Sequence, residues 1–132
     1  KGIVVDGSYQ KSLNLVQWRI MDLETKEILY ENGMYSKTKY LHNVAEFFAL
    51  IRGIKWVVDN DLDLIVLSDS MTALSWLSNG VNTSVDNPKI LKLIKAGEDY
   101  IQFVREYCNI PTVLKWETKL WNQENPCDYG YK

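Results

Sequence analysis

GIVVDGS, residues 2–8, sets three consecutive apolar side chains, Ile3, Val4 and Val5, directly before Asp6. A short continuous apolar run fits a central strand covered on both faces better than a strand with one wet face. A carboxylate inside such a strand costs free energy unless a cation or a donor pairs with it. Taken alone, Asp6 reads as the turn residue of an Asp-Gly pair.

Outward from this strand the elements follow in order. Leu13–Met21 alternates at Leu13 and Leu15 and, one step out of phase, at Trp18 and Ile20, which predicts a second strand. Asp22–Lys26 is a polar turn, and Glu27–Tyr35 predicts a third strand with Ile28, Tyr30 and Met34 on one face. Short connections make these three an antiparallel meander. Asn43–Asp59 is a helix, with Val44, Phe47, Phe48, Ile51, Ile54 and Val58 spaced by three and four. Ala45, Ala49 and Gly53 give it a second, small-residue side. Leu62–Ser68 is a fourth strand, and Ser70–Ser78 a short helix ended by Asn79-Gly80. Asn87-Pro88 is an N-cap followed by proline at the first helical position. That helix runs to about Tyr107, with Ile90, Leu91, Ile94, Ile101 and Val104 inward. Pro111–Trp116 is a fifth strand, and the polar tail from Glu117 is loop plus a short terminal helix. The fold class is α/β, built as one domain over residues 1–132. Its mixed five-stranded sheet, a three-strand antiparallel meander plus two parallel strands, is flanked by helices.

Composition narrows the function classes. The chain has 132 residues, 46% hydrophobic and 24% charged, which is ordinary globular material. No apolar run is long enough to span a bilayer, so no membrane role is expected. Two cysteines, Cys108 and Cys127, without CxxC spacing, and one histidine, His42, argue against a disulfide framework or structural zinc. Reduced thiols point to a cytoplasmic protein. A net charge of −2 weighs against a protein that holds nucleic acid mainly by electrostatics, although an acidic metal site lowers the pI itself. The chain opens on Lys1 rather than Met, which reads as an excised domain.

Three further acids share the position of Asp6. Read singly, Glu46 is a capping-box glutamate three residues after Asn43, Asp69 is a helix N-cap, and Asp128 is a solvated residue near the end of the chain. Read together, Asp6 and Asp69 end apolar strands, Glu46 lies in the first turn of the helix packed on that sheet, and Asp128 follows the fifth strand. Sites in open α/β sheets form beyond the carboxyl ends of strands. Carboxylates gathered there repel one another, and a hard divalent cation such as Mg2+ or Mn2+ relieves the repulsion.

The segments VVDGS (4–8), NVAEFFALIRGI (43–54), VLSDSMTALSWL (66–77) and CDYGYK (127–132) resemble the four signature blocks of type 1 ribonuclease H. The order of elements is similar over essentially the whole chain. The likeness is greatest to the bacterial branch lacking the basic protrusion, since residues 80–88 leave no room for it. The resemblance implies a hydrolase: an endonuclease that cuts the RNA strand of RNA–DNA hybrids with two Mg2+ ions, or Mn2+, leaving 5′-phosphate and 3′-hydroxyl ends. It implies that Asp6 bridges the metals, that Asp128 completes the site of the attacking water, and that Glu46 and Asp69 complete the leaving-group site. Glu124 matches a family glutamate near the attacking water; on its own it reads equally as a solvated loop acid.

The match is complete for the metal set and partial for the substrate set. Lys11-Ser12-Leu13-Asn14 stands where the family has a Gly-Asn-Pro-Gly-like turn, Leu41 where it has a phosphate-binding threonine, and Met71 where a polar residue reads RNA. Tyr131 replaces a basic residue. The retained candidates are Ser8 (2′-hydroxyl or backbone), Asn43 (minor groove), Trp76 (stacking near the DNA strand), Thr83, Ser84 and Thr118 (phosphate), and Lys132. At its helical spacing Trp76 reads as readily as core. His42 reads as a surface residue. The partner is then an RNA–DNA hybrid, bound by a monomer, with a hybrid-binding module elsewhere in the parent chain. Two alternatives are a catalytically weak nucleic-acid-binding module of the same fold and a nuclease for another nucleic-acid substrate.

Overall fold

A computed structural model describes residues 1–118 and 124–129. Strand β1 (Gly2–Gln10) is central, and the sheet order is β3-β2-β1-β4-β5. β2 (Leu15–Asp22) and β3 (Ile28–Tyr35) form the antiparallel meander, while β4 (Ile65–Ser68) and β5 (Val113–Lys115) run parallel to β1. Helices α1 (His42–Asp59), α2 (Met71–Asn79) and α3 (Pro88–Tyr107) complete the α/β architecture that periodicity and element order predict. Among the described residues no helix is long and apolar enough to cross a membrane.

Ile3 and Val5 face α1 in one apolar cluster with Phe47, Leu50, Ile54 and Val66. Val4 faces the other side and packs with Met21, Leu67, Trp116 and Cys127. The run Ile3-Val4-Val5 is therefore buried on both faces, with helices on one side and the chain after β5 on the other. The small-residue side of α1 lets it lie close to the sheet. An added Cβ at Gly7 would meet the backbone of Ala45 and Glu46 at 2.2–2.4 Å.

Two details depart from the periodic reading. Leu13 is 54% exposed, and the positions of β2 buried in the cluster with α1 are Val16, Trp18 and Ile20. The cause is a 3-10 turn at Lys11–Leu13, closed by Asn14 at φ 52, which delays the strand to Leu15 and resets its phase. Leu91 faces solvent, since Ile90, Ile94, Ile101 and Val104 already fill the stripe of α3 that meets the core. Asn87 caps that helix as predicted, accepting from the N–H groups of Lys89 and Ile90.

Candidate metal centre

Strand lengths create the site. Val4 pairs with Leu67, and β4 ends at Ser68, so β1 from Asp6 onward runs past its parallel neighbour. The backbone of β1 on that side has no strand to bond. The Gly7 N–H donates instead to Glu46 Oε1 at 2.7 Å. Glu46 is therefore not a capping-box residue: α1 starts at His42, and its N-cap, Leu41, makes no side-chain cap. Leu41 itself is fully buried, so its side chain joins the core. Asp69 is not the N-cap of α2 either. Ser70 takes that role, its Oγ accepting from Ala73 N–H at 3.0 Å.

Neither local role places these carboxylates; they meet at the shared edge. Asp6, Glu46 and Asp69 each offer an oxygen, and these atoms lie within 4.8 Å of one another. Asp6 is 1% and Glu46 3% exposed. Three hard oxygen donors at this spacing, two of them in low dielectric, fit a divalent cation such as Mg2+ or Mn2+. His42 Nε2 lies 3.9 Å from Glu46 Oε2 at the rim.

Asp128 falls outside the trio, but its chain is tied to it. The N–H of Tyr129 donates to Asp6 Oδ2 at 2.9 Å. Asn125, itself buried, donates through Nδ2 to the Val5 carbonyl and accepts the Cys127 N–H. Arg19 of β2 donates to the Cys127 and Asp128 carbonyls. Sequence reading passes over Arg19 and Asn125. The available signal is the charge of Arg19 inside the apolar stretch VQWRIM, opposite Asp6 in the hairpin. Burial pushes the Cys127 thiol up to about 12.

The substrate candidates are scattered in exposure. Asn43, Ser84, Thr118 and Glu124 are exposed and Thr83 is half-buried. Ser8 is buried, and its Oγ has no hydrogen-bond partner among the described residues. Trp76 packs edge-on against Phe47 and is 8% exposed, so little of its ring is left for stacking. Met71, by contrast, is 69% exposed two residues after Asp69. Lys132 and Tyr131 lie outside the described residues.

No family model matches the chain. Solved structures do. The RNase H1 of the halophilic archaeon Halobacterium salinarum aligns with TM-score 0.52 and 17% identity over 92% of this chain and 89% of that one. The N-terminal RNase H domain of a Mycobacterium tuberculosis protein, solved as a fusion with maltose-binding protein, aligns with TM-score 0.52 and 21% identity, covering 92% and 91%. LC11-RNase H1, isolated from compost, aligns with TM-score 0.56 and 21% identity, covering 89% and 84%. That protein has also been solved in complex with an RNA/DNA hybrid; this structure aligns with TM-score 0.50 and 22% identity. The chain has the ribonuclease H fold.

Proposed function

We propose that this protein is a divalent-metal-dependent endonuclease that hydrolyses the RNA strand of RNA–DNA hybrids. One observation carries the reading: on a ribonuclease H fold, the oxygens of Asp6, Glu46 and Asp69 converge within 4.8 Å beyond the end of β4. Asp6, Glu46 and Asp69 would hold the metal, with Asp128 as the fourth acid. Bound there, two Mg2+ ions, or Mn2+, would supply a nucleophilic water and neutralise charge on the departing 3′ oxygen. The chain's own groups aim the ligands: Gly7 N–H fixes Glu46 and Tyr129 N–H fixes Asp6. Glu124 is proposed to assist proton movement at the water. Asn43, Thr83, Ser84 and Thr118 are proposed to grip the hybrid, which the monomer meets in the cytoplasm.

The test is cleavage of labelled hybrid, duplex DNA, duplex RNA and single strands, with Mg2+ and Mn2+ titrated separately. The expected result is hybrid-selective cleavage leaving 5′-phosphate ends, abolished in Asp69→Asn with the fold retained. Binding of hybrid without cleavage at any metal concentration would establish a binding module instead. Preference for another nucleic acid would overturn the substrate assignment, and full activity of Asp69→Asn would overturn the site.

A further inference from the structure

Residues 124–129 carry Glu124 and Asp128 yet form no helix or strand. Side chains from the sheet hold this segment in place, and Arg19 supplies two of the hydrogen bonds. Arg19 pairs directly with Asp6 across the β1–β2 ladder, so the two side chains leave the same face. Its Nε donates to the Cys127 carbonyl at 2.9 Å and its Nη2 to the Asp128 carbonyl at 3.1 Å. Nη1 lies 3.6 Å from Glu31 Oε2, and the guanidinium sits 4.0 Å from the centre of the Tyr129 ring. Glu31 in turn accepts the Tyr129 hydroxyl at 2.8 Å. One planar cation thus engages three consecutive residues, 127–129. A fork of fixed donors sets the orientation of two successive peptide groups, which a lysine ammonium cannot do.

We propose that Arg19 is the positioning residue for Asp128: it sets the backbone that carries the fourth carboxylate toward Asp6, Glu46 and Asp69. Glu31 on β3 aims the guanidinium and locks Tyr129 behind it. Arg19 touches no reacting atom in this scheme. It acts through the peptide groups on either side of the Asp128 Cα. The inference rests on the acidic edge being a metal-dependent nuclease centre, and it deepens that reading.

The experiment compares the full chain with Arg19→Met, Arg19→Lys, Asp128→Asn and the Arg19→Met/Asp128→Asn double variant. Four properties are read: thermal unfolding, amide hydrogen exchange of residues 125–129, Mn2+ affinity, and kcat and KM on hybrid. A displacement of about 1 Å at a reacting centre costs on the order of 100-fold in rate. Arg19→Met is expected to speed exchange at 127–129 at least tenfold, weaken Mn2+ binding, and lower kcat about 100-fold with KM within twofold. Arg19→Lys is expected to recover less than tenfold of that loss. The double variant is expected to match Asp128→Asn alone, because both changes remove one function. Independent, multiplying losses in the double variant would overturn the proposal. So would an Arg19→Met protein with faster exchange but wild-type kcat and Mn2+ affinity. If wild-type protein cuts no nucleic acid, the nuclease reading fails by itself; exchange and Mn2+ affinity then still decide whether Arg19 acts through Asp128. If Arg19→Met does not fold, Glu31→Gln and Arg19→Lys carry the same measurements.

Discussion

Gly7→Ala is the most informative single perturbation of this architecture, because one hydrogen atom separates a close backbone approach from a collision. A Cβ built on Gly7 falls 2.2 Å from the Ala45 carbonyl carbon and 2.3 Å from the Glu46 nitrogen. Those are helix backbone atoms, which cannot swing aside as a side-chain tip does. Restoring ordinary contact requires α1 to lift by about 1.2 Å at its first turn. A shift of that size takes the 2.7 Å bond from Gly7 N–H to Glu46 beyond the ~3.2 Å reach of a hydrogen bond. Overpacking costs about 1–3 kcal/mol, and losing a bond to a buried charged group about 1.5–3 kcal/mol more. Together these are roughly 2.5–6 kcal/mol, a fall in Tm of about 10–20 °C for a chain of this size. The proposed metal site would suffer too, since Glu46 moves with the helix. Thermal and urea unfolding and Mn2+ calorimetry read the two effects separately. A variant melting within ~2 °C of wild type, with unchanged Mn2+ affinity, would refute the claim that Gly7 sets the approach of α1 and the place of Glu46.

The same substitution has the opposite sign at Gly97, where an added Cβ meets only side-chain atoms of Ile51 and Phe47, the nearest at 3.4 Å. Gly97→Ala should stabilise α3 by about 0.5–1 kcal/mol, and a fall in Tm would show that Ile51 and Phe47 cannot absorb the methyl. Divalent metal at about 100 times its dissociation constant should add ~2.7 kcal/mol of stability, seen as a rise in Tm at matched ionic strength. Asp69→Asn should lose most of that rise; an equal rise in both proteins would place the metal elsewhere. Burial raises the folded-state value for Cys127 to about 12, so its stabilising contribution is complete below the unfolded thiol's value and is lost as pH climbs toward 12. Urea titrations from pH 7 to 10.5 should therefore show wild type losing more stability than Cys127→Ala. At pH 8 a thiol reagent should modify the half-buried Cys108 well before Cys127, and equal rates would contradict that burial.

Much of the site was legible because its frame is local. The 3.6-residue spacing in 43–59 and the apolar runs ending at Asp6 and Asp69 are written within single elements. β1 and β4 are parallel neighbours, so Asp6, inside β1 just beyond the last pair with β4, and Asp69, directly after β4, meet at one edge. The expectation that Asp6 ends its strand is corrected, since β1 continues to Gln10. What stayed hidden depends on partners far away in the chain. Local chemistry favoured a capping role for Glu46 and an N-cap role for Asp69. The packing of α1 on Gly7 redirected the first, and a hydroxyl one residue later displaced the second. The alternation of β2 misled for a related reason: a left-handed Asn14 shifts the phase before the strand begins.

The sequence by itself thus determined the order of elements, the faces of α1 and the residue types gathered at the acidic edge, since periodicity and burial follow from neighbours a few positions apart. Tertiary structure alone decided which acids meet, at what spacing, and through what support. The Arg19 bonds to Cys127 and Asp128 span 108 and 109 residues, and the Tyr129 bond to Asp6 spans 123. Contacts of that range are set by strand register and helix approach, which no local pattern encodes. They separate four carboxylates along a sequence from three oxygens within 4.8 Å and a fourth acid whose neighbour Tyr129 is bonded to Asp6.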